Sequence, residues 1–117
     1  MKRVIIESPF AGKGDTPEAR EKDRERNVEY ALAAMADCLS RMEAPFLSHL
    51  LYTQVLDDND TLQRALGIKA GLAWGEVADL TVVYQDRGIS KGMEQGIAHA
   101  GDRGRNLVYR KVPGWVE

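Results

Sequence analysis

Residues 79–86, DLTVVYQD, constrain the fold of this chain more than any other stretch. Leu80 to Tyr84 are consecutive β-branched, apolar or aromatic residues with acids just outside them. That pattern predicts a buried strand, and KRVIIE (2–7) is a second short β-branched run of the same kind. Ala44 to Ser48 and NLVYRKV (106–112) read as two further strands. Between the first two strands a helix is expected from Pro17 to Met42, with Val28, Ala31, Leu32, Met35, Cys38, Leu39 and Met42 as its apolar stripe. A second helix is capped by Asp60 or Thr61 and runs to about Ala78, with Leu62, Leu66, Lys69/Ala70, Ala73 and Val77 along one face. A third, SKGMEQGIAHAGD, follows the strand at 79–86.

Strands alternating with helices require crossover connections, and therefore a parallel sheet covered on both faces. At 117 residues the chain makes one domain, residues 1–117. The fold class expected is α/β: a small three-layer flavodoxin-like domain with four or five mostly parallel strands. Ligands of such sheets sit beyond the C-terminal ends of the strands, where strand order reverses. Three loops converge there, at residues 8–14, 48–58 and 85–92.

Charge narrows the partners. A net charge of -2 gives no electrostatic footprint for polymeric nucleic acid or an anionic membrane. No run is long and apolar enough to span a bilayer, and MKRVIIESPF turns polar too early for a signal peptide. Cys38 is the single cysteine, so no intrachain disulfide forms. A cytoplasmic location is expected. His49 and His99 lie far apart without Cys or His at ligand spacing, so neither a metal nor a cofactor is expected.

The loops carry the candidate chemistry. GKGD does not make a Walker motif, because position 7 is Glu and Gly14 stands where the magnesium-binding hydroxyl belongs. Gly12 can still let backbone N–H groups approach an anion that Lys13 neutralises; the alternative is a flexible loop. His49, at the end of a short strand beside Tyr52, either contacts ligand or packs locally, and His99 falls on the solvated side of its helix. In DRGISKGMEQGIAHA, Met93, Ile97 and Ala100 recur at helical spacing and face the sheet. Ser90 is the natural N-cap, and Gly92 lets the backbone approach an anion over the helix N-terminus. Glu94 lies about 100° round the helix from Met93, turned either to the pocket mouth or into water.

VIIESPFAG, PFLSHLLYTQVLDD, the stretch LGIKAGLAWGEVADLTVVYQDRGISKGM and GIAHA resemble small phage and bacterial proteins of the DUF4406/DUF7768 kind. These are similar in turn to the nucleoside 2-deoxyribosyltransferase superfamily. The resemblance implies a nucleoside or nucleotide ligand, and a host-cytoplasmic location if the protein is phage-encoded. It also implies a helix glutamate that attacks the anomeric carbon and displaces the base. The superfamily motif, roughly S-G-T-x-x-E-x-G-x-A, fits in two registers. One places Glu94, Gly96 and Ala98 on E-x-G-x-A, with Glu94 as nucleophile; the other places Gly96 where the glutamate belongs.

Two functional classes follow. As an N-glycosidic deoxyribosyltransferase or nucleoside (monophosphate) hydrolase, the chain uses Glu94 as nucleophile. Ser8, Pro9 and Phe10 then wall the base and sugar, Ser90 and Gly92 receive the 5′ group, Tyr52, His49 or Asp57 assists the leaving base, and Gly12 and Met93 also belong to the ligand site. As a binding protein it keeps this pocket without the chemistry. Members of the resembled superfamily often complete their sites across subunits, so a homo-oligomer is expected, with Trp74, Tyr84 and Trp115 as possible aromatic contacts.

Overall fold

A computed structural model describes all 117 residues, Met1–Glu117. The chain runs β1 (Lys2–Glu7), α1 (Pro17–Ser40), β2 (Glu43–Phe46), α2 (Ser48–Leu51), a 3-10 turn (Tyr52–Gln54), α3 (Thr61–Gly75), β3 (Leu80–Tyr84), α4 (Lys91–Asp102) and β4 (Asn106–Arg110). The strands form one four-stranded, all-parallel sheet in the order β2-β1-β3-β4. The three-layer α/β expectation holds, with four strands. The second strand begins at Glu43, and Ser48 already belongs to α2.

Strand parity divides the side chains between two faces. Val4 pairs in register with Leu80 and Glu7 with Val83, so Val4, Ile6, Leu80, Val82 and Tyr84 share one face while Ile5, Glu7, Thr81 and Val83 share the other. The first set packs with Tyr30, Ala31, Ala34 and Cys38 of α1 into the hydrophobic core. The buried side of α1 is thus turned from the expected stripe: Asn27, Tyr30, Ala31, Ala34 and Cys38 point inward, whereas Leu32, Leu39 and Met42 are exposed. Residues 27, 31, 34 and 38 repeat at spacings of three and four as well as the expected set does, and packing against the sheet selects between the two rotations.

The helix α3 shows the larger departure. Asp60 is its N-cap, its side chain accepting from the N–H groups of Leu62 and Gln63. Leu62, Leu66 and Val77, expected to face the core, are exposed, and Leu62 is the extreme at 82%. Ile68 and Leu72 line a cleft instead, with Gly71 and Gly75 beside them. In α4 the expectation holds: Met93 and Ala100 are buried, and Ser90 is the N-cap, accepting from the Met93 N–H. The indole of Trp115 stacks edge-on against Tyr30 at 4.8 Å, which pins the C-terminal segment to the body. No helix is long and apolar enough to cross a membrane.

Candidate functional site

The chain leaves β1 toward β2 on one side and returns past it to β3 on the other, so β1 and β3 flank the point where strand order reverses. Helices there diverge, and a crevice opens beyond the strand ends. It has two chambers. The outer one, about 300 Å³, is lined by Ser8, Phe10, Gly12 and Lys13 from the first loop, His49 and Arg64 from the second crossover, and Ser90, Gly92 and Met93 from the start of α4. The inner one is a slot of about 70 Å³ between α3 and α4, with Ile5, Phe46, Ile68 and Leu72 as apolar walls and Gln95, His99 and Arg105 at its polar end. Glu7, Ser48, Ile68 and Gly92 line both chambers and mark the junction.

Glycine opens the slot. A Cβ at Gly71 would stand 2.7 Å from Ser48 Oγ. A Cβ at Gly96 would overlap the Glu7 carboxyl outright. The absent side chain on α4 is therefore the space into which the carboxyl of β1 projects. Glu7 has no side-chain hydrogen bond to the protein, and burial pushes its pKa up to about 8 against a weaker opposing pull from the Arg105 guanidinium. Near neutral pH it is mostly a neutral acid, able to donate a proton.

Arg105 is held in place rather than free. It donates to Thr81 Oγ1 at 2.9 Å and to the Gly75 carbonyl at 2.6 Å, and its third nitrogen lies 3.3 Å from His99 Nδ1. The other ring nitrogen of His99 is 3.4 Å from Glu76. His99, expected on the solvated side, thus lies in the wall of the slot, because α3 and Arg105 pack over that side of α4.

Across the crevice Ser8 Oγ and His49 Nε2 share a hydrogen bond of 2.9 Å. The Phe10 ring meets His49 edge-on at 6.1 Å. Burial depresses the His49 pKa to about 4, so the imidazole is neutral at pH 7. A neutral ring hydrogen-bonded to the Ser8 hydroxyl holds that hydroxyl in place at the wall of the outer chamber.

Of the residues singled out from sequence, Ser8, Phe10, Gly12, His49, Ser90, Gly92 and Met93 come together in the outer chamber. Pro9 is buried and outside the lining. Tyr52 lines a small adjoining hollow with His49 and Asp58. Asp57 accepts from the Asn59 N–H at 2.9 Å in its own turn and lines neither chamber, while its neighbour Asp58 lines the outer one. Glu94 is exposed and lines neither chamber, because burial of Met93 and Gly96 on either side of it rotates its Cα–Cβ bond away from the sheet. Glu7, the carboxyl at the junction of the chambers, figured in the sequence only as the residue that breaks a Walker pattern, and Arg64, Gln95 and Arg105 went unremarked. One signal pointed to Glu7: it is an acid ending an apolar strand, on the same face as Ile5. No group of three or more His, Cys, Asp or Glu side chains is arranged to hold a metal ion.

A family model described as "Domain of unknown function (DUF7768)" matches residues 2–110. The chain belongs to the DUF7768 family. The match covers all four strands and all four helices, so every element that builds the crevice lies within the DUF7768 domain. No curated protein and no solved structure matches the chain.

Proposed function

We propose that this DUF7768 protein binds a nucleoside or nucleotide in the crevice and acts on its N-glycosidic bond, with Glu7 as the reacting carboxyl. One observation carries this reading: an unpartnered, largely desolvated carboxyl at the junction of a narrow slot walled in part by Ile5, Phe46, Ile68 and Leu72 and a larger chamber that presents Ser8, His49 and Ser90. A heteroaromatic base suits the slot and a sugar suits the outer chamber, and the bond joining them then lies at Glu7. The resemblance to the nucleoside 2-deoxyribosyltransferase superfamily supports the same chemistry. In the register that sets Gly96 where that superfamily carries its glutamate, Glu7 supplies a carboxyl to the same space.

The neutral form of Glu7 gives its proton to the departing base as the C1′–N bond breaks, and the bonding electron pair leaves with the base. Water adds to C1′, and the proton it releases restores Glu7. An incoming base in place of water turns the same displacement into deoxyribosyl transfer. Ser8, oriented by His49, is placed to hydrogen-bond the sugar.

The test is release of free base from 2′-deoxynucleosides and their 5′-monophosphates, followed by chromatography. Glu7→Gln is expected to lower turnover at least ~100-fold, and wild-type turnover is expected to fall as pH rises through about 8, where Glu7 ionises. A rate that rises through that range identifies Glu7 as an attacking carboxylate instead. Full activity in Glu7→Gln, with loss in Glu94→Gln, returns the role to the helix glutamate. Ligand that binds and is recovered intact assigns the protein to the binding class.

We also infer that α3 mediates self-association. Ile68 and Leu72 occupy its cleft side, while Leu62 and Leu66 remain exposed on the other. A helix apolar on both sides suits burial between two copies of the chain.

A further inference from the structure

Building on that reading, we propose that the base carries a lactam on its far edge, a ring N–H beside a carbonyl, and that Arg105 selects for it. The guanidinium lines the polar end of the slot with Gln95 and His99. Three of its five N–H groups are taken: Nε donates to Thr81 Oγ1, Nη1 to the Gly75 carbonyl and Nη2 to His99 Nδ1. These partners belong to β3, α3 and α4, so the orientation of the guanidinium is fixed from three sides. Two N–H groups remain, one on each terminal nitrogen, and arginine has no acceptor to offer in their place. Because Arg105 only donates, His99 Nδ1 accepts, and Nε2 carries the ring proton toward Glu76 at 3.4 Å. Both His99 nitrogens are thereby occupied, which leaves Arg105 and Gln95 to meet a ligand.

The far edge of a base meets this end of the slot. Ile5 pairs in register with Thr81, and Glu7 lies two residues further along β1. Thr81, which anchors the guanidinium, is therefore about 7 Å along the sheet from Glu7. A ring whose glycosidic nitrogen sits at Glu7 lies across that interval, with its opposite edge toward Arg105. A carbonyl on that edge accepts from the guanidinium. An exocyclic amino group instead sets donor against donor and leaves both unpaired, the circumstance in which a site discriminates strongly. Gln95 behaves differently: its amide can turn to offer oxygen to a ring N–H or nitrogen to a bare ring nitrogen, so it adds affinity without choosing. The carbonyl is also conjugated to the glycosidic nitrogen. As the C1′–N bond breaks, part of the departing electron pair is carried onto that oxygen, against a fixed positive charge.

Two matched pairs of substrates test this, because the members of each differ only on the far edge: 2′-deoxyuridine against 2′-deoxycytidine, and 2′-deoxyinosine against 2′-deoxyadenosine. Base release by the full chain is expected to favour the lactam member of each pair by at least ~100-fold in kcat/KM. Arg105→Gln, whose amide can face either edge, is expected to shrink that ratio at least ~10-fold, its fold being checked by melting temperature. Gln95→Leu, at an exposed position, is expected to raise KM for all four substrates and to keep the ratio. Isothermal titration of wild type with free uracil and free cytosine reads the same preference without turnover, and decides the matter if Arg105→Gln does not fold. Equal release within the pairs, or an unchanged ratio in a folded Arg105→Gln, overturns the role of Arg105 and leaves the N-glycosidic reading standing. A preference for the amino members overturns it as well. If none of the four nucleosides is bound or turned over, the N-glycosidic reading fails and this inference fails with it.

Discussion

The two faces of the sheet treat their polar groups in opposite ways. On the α1 face each has a partner. Glu43 and Arg110 form a bidentate pair, both bonds 2.7 Å. The hydroxyl of Tyr84 donates to Asp37 at 2.7 Å and lies 3.4 Å from Cys38 Sγ. Tyr30 donates to Asp86 at 2.6 Å and accepts from the Asp86 N–H at 2.8 Å, and the same carboxylate accepts from the Val112 N–H. On the α3/α4 face the Glu7 carboxyl has no hydrogen bond, His49 is desolvated with a single partner, and glycines stand where side chains would close the gap. A face built for stability pairs its polar groups, because an unpaired one is costly once buried. Leaving such groups unpaired at one end of one face is what a binding site requires, and it lowers stability there.

The sharpest way to break this contrast is to remove a partner on the closed face. Glu43→Ala leaves the Arg110 guanidinium, otherwise held firmly protonated, without its carboxylate. A loss of about 3–5 kcal/mol in urea-unfolding free energy is expected, and a loss under about 1 kcal/mol would remove the distinction between the faces. Next comes Gly96→Ala. Its Cβ displaces the Glu7 carboxyl, so ligand binding is expected to fall despite a side chain that favours helix by about 1 kcal/mol. Glu7→Ala combined with Gly96→Ala should restore the stability lost by Gly96→Ala alone, as a double-mutant cycle would show.

Loss of one hydroxyl on the closed face is a smaller change. Tyr30→Phe is expected to cost about 1–2 kcal/mol, measured by chemical denaturation.

The pH dependence sharpens the comparison without altering packing. Burial raises Glu7 from an ordinary value of 4.5 to about 8, so the unfolded chain gives up this proton first. Its contribution is complete below the ordinary value and is lost as pH rises toward 8. His49 runs the other way, from 6.5 down to about 4, with a contribution complete above 6.5 and lost as pH falls. Between pH 6.5 and 8.5 Glu7 therefore acts alone of the two. Melting temperature is expected to decline across that interval in the wild type and to stay level in Glu7→Gln; equal slopes would place Glu7 in a solvated setting. The smallest effect on stability belongs to Leu66→Glu on the exposed side of α3, within about 0.5 kcal/mol. Light scattering during size exclusion should nonetheless show its mass falling to that of a monomer, and a wild type already monomeric would end the self-association proposal.

Local sequence determined the parallel α/β architecture. The β-branched runs at 2–7 and 79–86, the Asp60 and Ser90 caps and the alternation of strand and helix leave few other folds, since propensity, capping and periodicity act over a few residues. The loops at the mouth of the crevice were legible for the same reason, as segments that follow strands. Tertiary structure alone decided which way α1 and α3 turn, and that Glu94 faces water while Glu7 enters the crevice. One residue along a helix is a rotation of about 100°, so several stripes in one helix compete and only contact with the sheet chooses between them. That Gly96 makes room for Glu7 depends on two residues far apart in the chain meeting through the packing of α4 on β1, which no local pattern encodes.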